Sequence, residues 1–336
     1  MTELLVVEHL TKLFPLDKHS AVHAVTDVSF AIGRGETLGL VGESGSGKTT
    51  VGRCVLRLIR PTAGRVFFDG QEVTALDDER LRLMRHRMSL VFQDPYTSLN
   101  PMRTVRQTVE EPLLIEGKLD RQARAGRMLE TLEAVRLTAR HLGRYPGELT
   151  ASEQQRLAIA RALVTHPALV VVDEATSTLD ARARATILDV LIGLQHELGV
   201  SYLFISHDLT AVERISHRIA IMYLGRLVEI ASKEDVFKKQ LHPYSRALLS
   251  AVLFPDPQRR LEPFYLAGEI PSAINPVAQC PLVGRCPFQM SECEAGVPPL
   301  VELESGHWSS CIRSHEWLAG GVPAAAPETD ATERVA

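Results

Sequence analysis

Residues Gly42 to Thr49 read GESGSGKT, which fits G-x-x-x-x-G-K-[ST] in full. The apolar stretch TLGLV precedes them and a helical stretch follows, the context this pattern requires. The chemistry is phosphate binding. Gly42, Gly45 and Gly47, with Glu43, Ser44 and Ser46 between them, let backbone N–H groups close around phosphate oxygens. A helix starting at Lys48 aims its positive end at the same place. Lys48 reaches the β- and γ-phosphates and the Thr49 hydroxyl ligates Mg²⁺, with Thr50 beside them in the same binding set. Much later, ALVVVDEAT places Asp173 at the end of a continuous apolar run, where ligands bind in open α/β sheets. Asp173 would hold the Mg²⁺ shell and Glu174 would polarise an attacking water. Two acids that merely cap a strand are the plainer alternative. Gln93 ends SLVFQ and His207 ends YLFISH, and each on its own reads equally well as a surface residue.

Such residues need strands to deliver them. Residues 4–10 and 27–41 read as strands with Gly-rich turns, and a helix is expected from Lys48 to about Leu58. RVFFDGQEV is a further strand and turn. The charged stretch 76–90 reads as helical and leads into the strand MSLVFQ. Val105 to about Leu142 is helical with GKLD as a break, and 153–165 is a helix that stops before Pro167. ALVVV and SYLFIS suit buried parallel strands, ARATILDVLIGLQHEL a helix, and RIAIMYLGRLVEI an antiparallel pair. The alternation implies an α/β sheet covered on both faces.

The 336 residues allow a full core and about two domains. The net charge of −4 gives no support for a nucleic-acid partner, which usually meets a basic excess. No apolar run approaches the roughly 18 residues that span a bilayer, and the start, MTELLVVEHLTKLFPL, lacks a signal peptide's basic region and long apolar core. The expectation is a cytosolic chain, attached to any membrane through a partner. After about residue 254 the chain becomes rich in Pro and Cys, and its tail in Ala, Pro and acids.

The series of phosphate loop, Gln93, the stretch GELTASEQQRL, Asp173–Glu174 and His207 resembles the ATP-binding cassette of ABC transporters, over about residues 4–250. The resemblance implies a P-loop NTPase fold: a mixed α/β sheet with an antiparallel β subdomain and a helical subdomain, here followed by a small Cys-containing C-terminal module. It divides the chain into a cassette at 1–253, with a helical subdomain at about 94–165, an extension at 254–318 and a disordered tail at 319–336. It implies that Gln93 senses Mg²⁺ and the lytic water and touches a membrane subunit, and that His207 contacts the γ-phosphate. Ser177 to Asp180 (STLD) would cross to a second cassette. Phe14 would stack on adenine, or else belongs to the core.

FQDPYTSLNP, HPYSRALLSAV and LAGEIPSAINPVAQCPLVGRCPF are similar to the oligopeptide/dipeptide uptake cassettes, and to the second cassette of the pair. That resemblance implies a peripheral ATPase on the cytoplasmic face of the membrane. Its partners would be another cassette, two permease subunits and an external binding protein. Rival readings are a regulatory cassette that binds ATP without hydrolysis and a soluble ABC ATPase acting on ribosomes or DNA.

The family's signature is commonly Leu-Ser-Gly-Gly-Gln and grips the γ-phosphate held by the opposite cassette. The matching positions here are Leu149, Thr150, Ala151, Ser152 and Glu153. Thr150 keeps a hydroxyl. Ala151 and Ser152 add side chains where a backbone approaches phosphate. Glu153 adds a like charge, worth about 1 kcal/mol at a few ångströms in water and about 4 at a partly buried site. Thr150-x-x-Glu153 is also a good capping box, so the helix itself should form. A heterodimer with one weak composite site is the expectation.

Cys280, Cys286, Cys293 and Cys311 cluster late. Four thiolates hold a tetrahedral Zn²⁺ or an iron–sulfur cluster. The spacing lacks the paired C-x-x-C of most zinc ribbons and resembles peptide-importer extensions that carry a [4Fe–4S] cluster, with His307 as an alternative ligand. Reduced thiols packed in a small core are the third reading. Cys54 is expected in the core.

Overall fold

A computed structural model describes residues 3–251 and 264–320. The expected boundary at 253/254, and the expected tail from residue 321 on, lie outside the described residues.

Strands β1 (Glu3–Pro15) and β2 (Ala21–Gly33) form an antiparallel ribbon, and β3 (Thr37–Val41) follows. The strands and Gly-rich turn expected over 27–41 fall in two different sheets. Gly35 adopts φ +69° and the Gly33 N–H donates to the Glu36 carboxylate, closing a turn between them. Helix α1 (Lys48–Val55) is shorter than expected, because Arg57 takes φ +52° just beyond its end. Strands β4 (Ala63–Phe68) and β5 (Gln71–Glu72) complete a four-stranded antiparallel sheet in the order β2-β1-β4-β5.

Asp77 caps α2 (Asp78–Met84), and β6 (Met88–Val91) leads to a helical block. The block comprises α3 (Pro95–Ser98), α4 (Val105–Glu116), α5 (Arg121–Ala134) and α6 (Ala151–Leu163). The expected GKLD break is real: Gly117 ends α4 at φ +70° and Asp120 caps α5. Next come β7 (Leu169–Asp173), α7 (Ala181–Leu198), β8 (Ser201–Ile205), α8 (Leu209–Ile215), β9 (Arg218–Tyr223) and β10 (Arg226–Ser232). Helices α9 (Lys233–Lys238) and α10 (Pro243–Ser250) precede β11 (Val301–Glu304), β12 (His307–Ser309) and α11 (Ser314–Leu318).

The main sheet runs β11-β12-β10-β9-β3-β8-β7-β6. Its strands from β9 to β6 are parallel, and those from β9 to β11 alternate in direction. β3, β7 and β8 are buried at every position, as strands covered on both faces must be. Along β7 the period of two is visible in the packing. Val170 and Val172 join the core shared with the helical block, while Leu169 and Val171 join the core beneath the antiparallel sheet.

The Pro- and Cys-rich stretch shows no periodicity in sequence, yet it contributes β11 and β12 to this sheet. β12 pairs with β10 through Glu229↔Ser309 and Ile230↔Trp308. Glu229 and His307, both fully buried, meet there at 2.7 Å. The contact uses His307 Nε2, while its Nδ1 is buried without a hydrogen-bond partner among the described residues.

Candidate functional site

The carboxyl ends of β3, β6, β7 and β8 supply the phosphate loop, Gln93, Asp173–Glu174 and His207 respectively. Two loop glycines are dictated by space. A Cβ on Gly42 would lie 2.1 Å from the Met222 carbonyl oxygen, and one on Gly47 2.1 Å from that of Ala24. Both residues also have positive φ, at +152° and +104°. Gly47 is the N-cap of α1 and provides no side-chain cap, so the helix's first N–H groups face the loop. The Lys48 ammonium bonds back to the Gly42 and Glu43 carbonyls at 2.9 and 2.8 Å and to Ser46 Oγ at 3.3 Å. Thr49 and Thr50 occupy the first turn of α1, while Ser44 and Gly45 are exposed at the loop's crest.

Thr49 Oγ1 donates to Asp173 Oδ1 at 2.8 Å, joining the two halves of the site. Burial lowers the pKa of Lys48, with Glu174, Asp173 and Glu43 opposing it. Burial raises the carboxyl of Asp173, opposed by the Thr49 hydrogen bond. A buried ammonium and a buried carboxylate at one loop fit a site made for an anion and its cation together. Mg²⁺ with a nucleotide triphosphate suits this donor set: Thr49 and Asp173 for the metal, Lys48 and the loop amides for phosphate.

Beyond Asp173, Glu174 takes φ +46°, an uncommon conformation for a residue with a side chain, held by its N–H to the Ile205 carbonyl at 2.9 Å. Gln93 Nε2 donates to Glu174 Oε2 at 3.2 Å, and His207 Nδ1 lies 3.3 Å from the same oxygen. Gln93 and His207, picked out separately in sequence, therefore converge on one carboxylate oxygen of Glu174. Phe14 lies on β1, 37% exposed, with the Lys12 ammonium 5.0 Å from its ring centre. Asp180 caps α7 through the Ala183 N–H.

The stretch from Thr150 to Glu153 forms the expected capping box at the start of α6. The Thr150 N–H and Oγ1 both donate to Glu153 Oε2, at 2.9 and 3.0 Å, and the Glu153 N–H donates to Thr150 Oγ1 at 3.3 Å. His141 Nε2 stands 3.4 Å from the other carboxylate oxygen. Sequence gave no sign of His141. Its Nδ1 lies 3.0 Å from the Thr138 nitrogen and 3.1 Å from both the Thr138 hydroxyl and carbonyl oxygens. The Thr150 backbone bond is the main cause that holds the Glu153 carboxyl below the usual range. Ala151 is exposed and Ser152 half-buried at the helix start.

Cys280, Cys286, Cys293 and Cys311 do line one cavity, but its volume is only ≈ 20 Å³. All four thiols are free. Burial pushes Cys286 up to about 11 and Cys311 up to about 12. Among the described residues no group of three or more His, Cys, Asp or Glu is arranged to hold a metal ion. The residues as folded do not fit the expected [4Fe–4S] cluster or zinc. Spacing brought the right cysteines to one place without bringing their sulfurs to ligand geometry. Cys54 is fully buried in the core, as expected.

Two comparisons cover most of the chain. The ABC transporter family matches residues 25–177, and the oligopeptide/dipeptide transporter C-terminal region matches residues 228–293. A probable peptide ABC transporter ATP-binding protein of Sinorhizobium fredii is 45% identical over 314 residues, covering 92% of this chain and 89% of that protein. The oligopeptide transport ATP-binding protein AppF of Bacillus subtilis is 40% identical, covering 92% and 96%. Among solved structures, a dimeric post-hydrolysis ATP-binding cassette bound to ADP and Pi is similar, at 30% identity and TM-score 0.63 over 68% of this chain and 98% of that one. An ABC transporter component of Clostridium perfringens gives TM-score 0.64 at 26% identity, over 70% and 91%.

Proposed function

The chain belongs to the ABC transporter family, with the C-terminal region of its oligopeptide/dipeptide members, and from that premise we propose that it is the ATP-hydrolysing subunit of a peptide importer. The observation that carries the reading is the convergence of Gln93 and His207 on Glu174, next to the Thr49–Asp173 link. Lys48 and the loop amides would bind the β- and γ-phosphates. When bound, Mg²⁺ would neutralise charge on those oxygens, and Thr49 and Asp173 would hold it from this chain. Glu174 accepts a hydrogen bond from the attacking water and orients its lone pair toward phosphorus. Gln93 and His207 hold that carboxylate in place.

Coupling to membrane subunits would run through the groove beside Gln93. Its cavity of ≈ 480 Å³ is lined by Leu58, Phe92 and Ile115 together with Arg82 and Arg85. No helix among the described residues is long and apolar enough to cross a membrane, so permease partners would supply the pathway.

The working unit would be a heterodimer. Thr150 already donates its hydroxyl proton to Glu153, and the carboxylate brings negative charge to the loop meant for the opposite cassette's γ-phosphate. The site completed by this signature would be slow, and the site built on this chain's own Lys48 and Glu174 would turn over. The deciding experiment is ATP turnover by the co-expressed complex with Glu174→Gln in this chain only. Near-complete loss is expected. Retained turnover would move hydrolysis to the other composite site and end the asymmetry reading.

A further inference from the structure

Two hundred residues after the phosphate loop, the segment Leu241–Tyr244 reaches back to it. The Glu43 N–H donates to Tyr244 Oη at 3.0 Å. Glu43 Oε2 is buried without a hydrogen-bond partner among the described residues. The loop's second residue thus keeps its place through its backbone, with its carbonyl on Lys48 and its N–H on Tyr244.

Tyr244 is itself firmly held. It is 1% exposed, and its ring centre lies 4.5 Å from that of Tyr223. Tyr223 Oη accepts from Arg285 Nη1 at 2.9 Å. The turn before Tyr244 is bolted to the chain's last strands. Glu229 accepts the N–H groups of Leu241 and His242 at 2.9 and 3.1 Å while meeting His307. Ser309 Oγ and Ser314 Oγ both donate to the Leu241 carbonyl, at 3.1 and 3.2 Å. His242 Nδ1 accepts the Tyr244 N–H at 3.2 Å, and burial drives that imidazole down to about 3, keeping it neutral and able to accept.

We infer that Tyr244 is a positioning residue of the nucleotide site, through which the C-terminal segment fixes the phosphate loop by its Glu43 amide. This rests on the loop being the nucleotide site. With Glu43 anchored, the glycines after it need not be ordered at the moment of binding, so the hydroxyl acts on affinity. One hydrogen bond of this kind is worth roughly a 3- to 10-fold change in binding.

The test uses the full chain and MgADP as probe. In the unliganded wild type, the Glu43 amide is expected to resist hydrogen exchange. Tyr244→Phe keeps the ring and removes the acceptor. Its Kd for MgADP should rise roughly 3- to 10-fold, its Glu43 amide should exchange faster, and its melting temperature without nucleotide should move little. Tyr223→Phe, which loses only the Arg285 bond, should keep the wild-type Kd. The inference is overturned by a wild-type Kd in Tyr244→Phe, by an equal loss in Tyr223→Phe, which assigns the effect to hydroxyl loss anywhere in the pair rather than to the Glu43 bond, or by an unprotected Glu43 amide in the wild type. Failure of the wild type to bind MgADP at all would instead sink the nucleotide-site reading beneath it.

Discussion

The phosphate loop and the signature loop both open a helix, and they treat that helix end in opposite ways. At Gly47 no side chain caps α1, so the first-turn N–H groups stay available to a ligand. At Thr150 the cap is closed: hydroxyl, carboxylate and two backbone N–H groups satisfy one another, with His141 on the remaining oxygen. One end keeps uncommitted donors beside an ammonium. The other spends its donors on an internal anion. A helix N-terminus is an anion site only when its own sequence leaves it unfilled.

Removing the ammonium should break this contrast most severely. Lys48→Ala deletes a charged donor to phosphate, and MgATP affinity should fall about 10- to 100-fold by titration calorimetry. An unchanged affinity would mean that loop amides alone make the site. Next comes Glu153→Gln in the assembled complex. The amide can still accept the capping bonds, so α6 should keep its stability while the charge disappears. Turnover at the site this signature completes should rise roughly tenfold for each ~1.4 kcal/mol of repulsion removed. It is best measured with Glu174→Gln present to silence this chain's own site, and no rise would clear the carboxylate of blame.

Thr150→Ala should cost about 1 kcal/mol of stability in denaturant unfolding, the usual value of such a cap. The smallest effect is on pH dependence. Glu153's carboxyl is lowered on folding, chiefly by the Thr150 N–H. Its contribution is therefore complete above the unfolded value of about 4.3 and lost as pH falls through the lowered folded one. Acid unfolding curves of wild type and Glu153→Gln should converge below about pH 4 and separate above it.

What was legible in sequence was what short spacing encodes. The phosphate loop, the Asp173–Glu174 pair, Gln93 and His207 each end an apolar run, and a run of that kind makes a strand whose end faces the ligand side. The Thr150–Glu153 cap was legible for the same reason, since its partners are three residues apart. Not legible was that the strands on either side of the Gly33–Glu36 turn enter different sheets, since the glycines mark the turn but not the partners of its flanks. Nor were β11 and β12. With four and three residues they carry too little pattern to declare themselves, and β12's partner β10 lies far back in the chain. The cysteines show the limit from the other side: spacing identified the four that gather, but their burial and separation are set by packing. Tyr244 lies 201 residues from Glu43, and no local rule joins them.

The pairing of β12 with β10 also orders events during synthesis. Until Ser309 has left the ribosome, β10 presents a bare row of N–H and C=O groups, the template on which sheets of separate chains join. Most of the chain must therefore wait, nearly folded, for its last strands. A product truncated after α10 would retain the side chains of the nucleotide site but lose the contacts that hold Leu241–Tyr244, and be the more prone to aggregate.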